Sequence, residues 1–198
     1  IVNAVVGQQV WTHLNPINTK YALFGITYAD GNYVSVGING IIFTSSDGVS
    51  WTDRTPAYPL GVFSDLYNVT WNGKLFVAVG EDYSSEASCK VLTSADGITW
   101  TNQTVGTAGW LLDAAWGDSQ FVAVGRDSSY HGIILSSSDG SIWTNRTTQQ
   151  TSLLRSIIWG DDKFVAVGGG TVLTSANGIH WTIDSLGVND LFSDIAWG

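Results

Sequence analysis

The stretch FVAVGRDSSYHGIILSSSDGSIW, from Phe121 to Trp143, decides how the rest of the chain is interpreted. It contains short apolar runs at 121–124 and 133–135, followed by Asp139-Gly140 and then Trp143. Asp-Gly between two runs of β-type residues is the strongest local signal of a hairpin, because both turn positions take positive φ. The stretch therefore predicts short antiparallel strands joined by tight turns.

The same pattern recurs along the chain. The apolar strand ends in Val-Gly at Gly37, Gly80, Gly125 and Gly168. The turn motif is repeated as Asp47-Gly48, Asp96-Gly97, Asp139-Gly140 and Asn177-Gly178. A Trp-Thr pair occurs five times, with its tryptophan at Trp11, Trp51, Trp100, Trp143 and Trp181, and the last four pairs follow this turn. An aromatic series ends another strand at Tyr28, Trp71, Trp116, Trp159 and Trp197. A repeat of about 40 residues with four antiparallel strands, here called A to D, is typical of a β-propeller blade.

We therefore predict an all-β fold, a single β-propeller domain over residues 1–198 with about five four-stranded antiparallel blades. The predicted repeats are 15–55, 56–104, 105–147 and 148–185, with a last blade split between 1–14 and 186–198. Whichever way residues 1–14 are aligned with the repeat, the split blade is about one strand short. Three explanations stay open: a three-stranded blade, a piece of a longer propeller, or a strand added by another subunit.

The segments Ser45-Ser-Asp-Gly-Val-Ser-Trp51 and Ser94-Ala-Asp-Gly-Ile-Thr-Trp100, with two further copies, resemble the Asp-box of sialidases and many other propellers. This chain has a shortened form, with one residue fewer between the Asp and the Gly. The resemblance implies that the Ser, Asp and Trp of each box hold a hairpin together, away from any active site. Sialidase chemistry in that family needs three clustered arginines, a Tyr-Glu pair and a further acid. No position of this chain matches that set, and its four arginines are spread over different strands and loops, so we expect no catalysis.

Charge and composition exclude other classes of protein. The formal net charge is −9, with 8 Lys plus Arg against 17 Asp plus Glu. Because an acidic chain without a basic cluster repels phosphate backbones, we expect no nucleic-acid partner. No apolar run is long enough to span a bilayer, and no metal-ligand spacing appears, so we expect no membrane span, metal or cofactor. A chain that begins at Ile1 and contains no Met is expected to be a processed protein or an excised domain. The single cysteine, Cys89, is expected to be an inert thiol.

Candidate binding residues lie on the face formed by the B–C and D–A connections, because these loops vary while the opposite turns are uniformly tight. Trp110 interrupts the repeat in one such loop, and Tyr83 and Tyr130 lie in similar loops. Polar residues near the start of strand A are predicted to surround one mouth of the central channel. The predicted ligand-binding set is Tyr67, Asn68, Trp110, Asp113, Tyr130, Arg155 and Asp194.

Three Asn-X-Thr sequons, at Asn68, Asn102 and Asn145, favour an extracellular or cell-surface setting. We expect a non-catalytic binding protein whose partners are glycans or other proteins. Carbohydrate is the first expectation because the predicted architecture is similar to five-bladed tachylectin-type lectins, although no lectin motif matches residue by residue. Two alternatives stay open: a structural module that self-associates through the split blade, and a degenerate glycosidase.

Overall fold

The computed structural model describes residues 21–56, 64–83, 88–148, 152–184 and 191–198. They form four sheets, each with four antiparallel strands in chain order. Blade 1 contains β1 (Leu23–Ala29), β2 (Asn32–Gly37), β3 (Ile42–Ser45) and β4 (Thr52–Asp53). Blade 2 contains β5 (Ser64–Trp71), β6 (Phe76–Asp82), β7 (Ser88–Ser94) and β8 (Thr101–Gln103). Blade 3 contains β9 (Trp110–Gly117), β10 (Gln120–Arg126), β11 (Gly132–Ser137) and β12 (Thr144–Asn145). Blade 4 contains β13 (Ser156–Gly160), β14 (Lys163–Gly168), β15 (Thr171–Ser175) and β16 (Thr182–Asp184).

This architecture confirms the predicted all-β fold with four-stranded antiparallel blades. One short 3₁₀ turn, Ile38–Gly40, interrupts blade 1. Each sheet falls inside one of the four complete repeats expected from the sequence. The fifth, split repeat remains a prediction, because residues 1–20 and 185–190 lie outside the described part of the chain.

The hydrophobic core lies between neighbouring blades, and strand B is its centre. The strand-B phenylalanines Phe76, Phe121 and Phe164 are all at most 2% exposed. Each contacts the aromatic residue that ends strand A, with ring centroids 4.2–4.6 Å apart. Strand B is apolar on both faces because both faces pack against other blades, as expected for a sandwiched strand.

The Asp-Gly hairpins differ from the predicted two-residue turn. Gly48 has φ of +71°, but Asp47 is not among the described residues with positive φ. The Asp47 carboxylate instead accepts hydrogen bonds from the backbone N–H groups of Val49 and Ser50, at 2.8 and 2.7 Å. The hydroxyl of Ser45 accepts from the Gly48 N–H at 2.9 Å. The C–D loop of blade 1 is therefore longer than the predicted two-residue turn, and the side chains of Ser45 and Asp47 close it through hydrogen bonds to the backbone.

In three of the four blades, turns with two consecutive positive φ values join strands A and B instead; in blade 2 only Gly73 (φ 94°) has positive φ there. In blade 1 these residues are Asp30 (φ 50°) and Gly31 (φ 75°), and in blade 4 they are Asp161 and Asp162 (φ 51° and 56°). Such backbone geometry matches the twist of the two strands it joins. The Asp-Gly motif therefore marks the C–D connection, whereas the two-residue turn that it predicted occurs in the A–B connection.

The glycine that ends strand B permits a close approach of strand A. A Cβ on Gly80 would lie 1.8 Å from the carbonyl oxygen of Asp65, and one on Gly125 would lie 1.8 Å from that of Trp110. Strand A is bulged directly after this contact, at Tyr67 in blade 2. A bulge re-aims the side chains around it. The repeated Val-Gly therefore fixes the backbone where the candidate site begins.

Residues 191–198 continue the series of blades although they form no regular strand. The Trp197 ring lies over Gly160, where a Cβ would come within 2.7 Å of it. Trp159 lies over Gly117 in the same way. The C-terminal segment therefore packs on blade 4 as strand A of blade 4 packs on blade 3.

Candidate functional site

The candidate site lies at the end of blades 2 and 3 where strand A begins and strand B ends. One residue from each strand faces the other there, directly beyond the strand-B glycine, and we call these two residues the rim pair. In blade 2 the rim pair is Asp65 and Glu81, and in blade 3 it is Trp110 and Arg126. Equivalent backbone positions thus carry a pair of acids in one blade and an aromatic–cation pair in the next.

In blade 3 the rim pair continues into an aromatic stack. The Arg126 guanidinium lies 3.9 Å from the ring centroid of Trp110 and 4.2 Å from that of Tyr130. Tyr130 is 62% exposed. Cation–π contacts of this kind hold the participating rings in place. We call Trp110, Arg126 and Tyr130 the blade-3 platform.

The backbone around the platform is tightly fixed. Tyr130 has φ of +65°, which is unusual for a bulky side chain and is found where the surrounding structure imposes it. Its N–H donates to the carbonyl of Asp127 at 3.2 Å, and its carbonyl accepts from the N–H of Leu153 at 3.0 Å. The Asp127 carboxylate also accepts from the N–H of Ser129 and of His131. The exposed Tyr130 ring is therefore presented by a preorganised loop.

In blade 2 the rim pair is joined by two tyrosines. The Tyr67 hydroxyl donates to Glu81 Oε1, and the Tyr83 hydroxyl contacts both Asp65 Oδ2 and Glu81 Oε1, the latter at 2.8 Å. The backbone N–H of Asn39, from blade 1, donates to Asp65 Oδ1 at 2.8 Å. Burial, followed by hydrogen bonds to these acids, raises the pKa of both tyrosine hydroxyls above its usual range. We call Asp65, Glu81, Tyr67 and Tyr83 the blade-2 acid cluster.

Two of the predicted channel residues meet at one serine. The Ser156 hydroxyl lies 2.8 Å from Asp113 Oδ2 and 2.9 Å from Asp194 Oδ1. The N–H of Ile157 also donates to Asp113 Oδ2, at 2.8 Å. Burial raises the pKa of Asp113 to about 6, and the nearby Asp194 carboxylate adds to the rise. A single hydroxyl proton cannot serve two charged carboxylates at once, so these acids compete for it.

The other predicted residues are not part of these groups. Arg155 is exposed and directly precedes Ser156 in the chain, and its backbone N–H donates to the carbonyl of Val167. Asn68 is partly buried, and its side-chain oxygen is buried without a hydrogen-bond partner. The sequon residues Asn102 and Asn145 are exposed on the outer strands β8 and β12.

Three rim-pair residues, Asp65, Glu81 and Arg126, were not singled out from the sequence. Trp110 was expected in a loop, but it is the first residue of β9 and is partly buried. Glu81 belongs to strand β6 and not to the variable connection that follows it. The signal that was available is the residue after the strand-B glycine, which is Glu81 in blade 2 and Arg126 in blade 3.

The described parts of the chain also bear on metal binding, membrane insertion and sialidase-type chemistry. They contain no group of three or more His, Cys, Asp or Glu side chains arranged to hold a metal ion. None of their helices is long and apolar enough to cross a membrane. The four arginines belong to different elements: Arg54 and Arg146 donate to strand-C hydroxyls of different blades, Arg126 is in the platform, and Arg155 is exposed directly before β13.

No protein-family model matches the sequence, and no curated protein matches it either. Solved structures do match the fold. The WD40 β-propeller domain of Doa1 is similar with a TM-score of 0.60 and 15% identity, over 88% of this chain and 57% of that one. YCF48 bound to D1 peptide is similar with a TM-score of 0.57 and 15% identity, over 83% and 53%. A candidate gluconolactonase gives a TM-score of 0.64 at 11% identity, over 92% and 69%.

These identities are too low to transfer an activity, and the chain spans little more than half the length of the first two structures. The three proteins differ in function but share a β-propeller fold. Together with the four sheets of blades 1 to 4, the likeness shows that this chain has a β-propeller fold of four-stranded blades, four of them complete.

Proposed function

We propose that the chain is a non-catalytic binding module that binds carbohydrate at the blade-3 platform. The observation that carries the proposal is the exposed Tyr130 ring, held by Arg126 against Trp110 and by a backbone with positive φ. A rigid ring with one polar end loses little conformational entropy on binding and offers both an apolar face and a hydroxyl. These are the two features that a sugar, with its C–H faces and hydroxyl edges, can use.

Polar groups next to the ring support the same ligand. The His131 side chain is 73% exposed, and its Nδ1 lies 3.1 Å from the Asp127 carboxylate. This contact orients the imidazole and leaves its other ring nitrogen to interact with a hydroxyl. The platform thus combines a stacking surface with a directional polar group.

The proposal is tested by glycan-array screening of the purified chain, followed by calorimetry on any glycan that is retained. Tyr130→Ala should weaken binding about three- to tenfold, the contribution of one aromatic contact. Tyr130→Phe should keep most of the affinity. Tyr28→Ala is the matched control, because Tyr28 is equally exposed, at 60%, but lies at the opposite end of strand A. Absence of any retained glycan, or equal losses in the Tyr130→Ala and Tyr28→Ala variants, would count against the proposal.

Absence of catalysis is part of the proposal. It is supported by the dispersed arginines and by the carboxylates Asp65 and Glu81, whose described hydrogen bonds go to tyrosines and a backbone amide. The degenerate-glycosidase alternative would be favoured by release of a chromogenic aglycone that Glu81→Gln abolishes.

A second candidate function is assembly, and the exposed surface of blade 1 favours it. On β1, Ile26 and Tyr28 are 59% and 60% exposed, and at the other end of the blade series Trp197 is 61% exposed. In this alternative, the C-terminal segment of one copy packs on β1 of the next copy. Native mass measured over a concentration series decides between the candidates: assemblies that dissociate in an Ile26→Lys variant would favour assembly, and monomers throughout would favour the binding module.

We further propose an extracellular or cell-surface location, five blades in the complete ring, and an Asp-box origin for the hairpins. Exposure of Asn102 and Asn145 on outer strands supports the location, because glycan there would meet no core packing. Secretion from a eukaryotic host, followed by glycosidase treatment, would test both sequons through the change in mass.

A further inference from the structure

The blade-2 acid cluster has no cationic partner among the described residues. Asp65 and Glu81 are only 8% and 5% exposed. Their hydrogen-bond donors are two phenols and one backbone amide, all neutral. The neighbouring cation, Lys90, donates to Asp82 Oδ2 at 3.0 Å instead. Within the described ranges, no Lys, Arg or His forms an ion pair with either acid.

One oxygen of this cluster also has no partner among the described residues. Glu81 Oε2 is buried and accepts no hydrogen bond from them, whereas Oε1 of the same carboxylate accepts from the Tyr67 hydroxyl and lies 2.8 Å from the Tyr83 hydroxyl oxygen. A buried carboxylate without a counter-charge costs several kcal/mol, of the order found for isolated buried ions. A buried acceptor left unused in this way indicates a place where a donor from outside the chain can be accommodated.

Two tyrosines contact these acids through their hydroxyls, and a phenylalanine packs on one of the tyrosines. Tyr83 is 45% exposed, and its hydroxyl contacts both carboxylates. Phe24, from blade 1, is 49% exposed and packs against Tyr67 with ring centroids 5.4 Å apart. Aromatic faces next to carboxylates attract an organic cation through its charge and through the ring quadrupoles.

We propose that the blade-2 acid cluster binds an alkylammonium group, with Glu81 and Asp65 as its counter-charges and Phe24, Tyr67 and Tyr83 as its walls. An ammonium brings three N–H donors and no acceptor, which matches Glu81 Oε2 and the remaining carboxylate lone pairs. A calcium ion would need six to eight oxygen ligands, more than two carboxylates supply. Tyr83, being half exposed, opens the site by rotating its side chain, a fast motion at a protein surface.

This inference does not rest on carbohydrate binding at the blade-3 platform, because the two groups share no residue. The primary probe is n-butylammonium chloride at low ionic strength, followed by two-dimensional NMR of the whole chain, with n-butanol as the uncharged control. Nα-acetyl-lysine methylamide and D-glucosamine then distinguish a lysine side chain from an amino sugar as the source of the ammonium. Calcium chloride is titrated separately.

Glu81→Gln is the main variant, because it removes the charge and keeps the shape. It should weaken butylammonium binding at least about tenfold, the loss expected for one charge-assisted hydrogen bond. Asp161→Asn is the matched control: it removes the same charge from an exposed turn of blade 4 and should leave binding unchanged. Tyr83→Phe keeps the ring but frees the carboxylates, so it should tighten binding, which a purely structural role for the acids would not produce.

Shifts confined to residues around Glu81, present with butylammonium, absent with butanol and reduced by Glu81→Gln, would support the proposal. If Glu81→Gln does not fold, Tyr83→Phe and Asp161→Asn decide the matter in the same titration. No binding of butylammonium at about 50 mM, equal binding by Glu81→Gln, or saturation by calcium alone would overturn it.

Discussion

Asp113 gives the sharpest prediction, because the pKa of its carboxyl depends on a geometry that can be changed by one atom. Burial is the largest cause that raises this pKa from 3.8 to about 6, against the opposing hydrogen bonds from Ile157 and Ser156. The folded protein therefore holds the Asp113 proton more tightly than the unfolded chain does. Its contribution to stability is fully present below about pH 4 and is lost as the pH rises through about 6. A shift of about 2 pKa units corresponds to about 3 kcal/mol.

The perturbation is Asp113→Asn, which keeps a carbonyl oxygen for the N–H of Ile157 and the hydroxyl of Ser156 but cannot ionise. The variant should gain about 3 kcal/mol in unfolding free energy relative to the wild type between pH 4 and pH 8. Urea unfolding followed by tryptophan fluorescence measures this difference at each pH. Asp47 does not interfere, because its pKa is lowered to about 2 by hydrogen bonds from Ser50 and Val49, so its stabilising effect is lost only below pH 4. A pH-independent difference between variant and wild type, or an Asp113 carboxyl that titrates near 4 by carbon-13 NMR, would refute the reasoning.

Three further predictions concern the scaffold. Gly125→Ala should destabilise the fold by about 3 kcal/mol or more, because its Cβ would lie 1.8 Å from the Trp110 carbonyl oxygen. Gly73→Ala should cost only about 1 kcal/mol, because nothing lies within 4 Å of its Cβ and only the φ of +94° is unfavourable. Thermal unfolding of the two variants measures the difference. Asp96→Ala should lose about 1–2 kcal/mol in chemical unfolding because two backbone N–H groups lose their acceptor, while Asp96→Asn should be nearly neutral; equal losses would contradict the capping role. Burial raises the pKa of Cys89 to about 12, so iodoacetamide at pH 8 should modify this thiol only under unfolding conditions, as followed by mass spectrometry; rapid labelling of the folded chain would contradict its burial.

The blades could be predicted from the sequence because each one repeats the same physical solution. Strand B must be apolar on both faces, and the runs ending at Gly80, Gly125 and Gly168 show this directly. The turn chemistry was harder to predict. Asp47-Gly48 satisfies the usual hairpin pattern, yet the Asp47 side chain takes over the hydrogen bonds that a tighter turn would have formed through the backbone.

The candidate site was predictable only in part. The channel residues Asp113 and Asp194 follow from their fixed distance before the strand-A aromatic residue, and the structure brings them together at Ser156. The acid cluster could not be found in this way. Asp65 faces Glu81 only in the register set by the bulge at Tyr67, and a bulge of one residue leaves no clear mark in a single sequence.

The constant backbone beneath the rim pair separates the scaffold from its chemistry. The strand-B glycine fixes how the two strands meet, whether the facing side chains are Asp65 and Glu81 or Trp110 and Arg126. Two side chains can thus be exchanged in one blade without altering the hydrogen bonding of the sheet. For protein engineering, we expect that this position in blades 2 and 3 accepts different pairs of side chains on the same backbone, so that neighbouring blades of one chain can present unrelated binding chemistries.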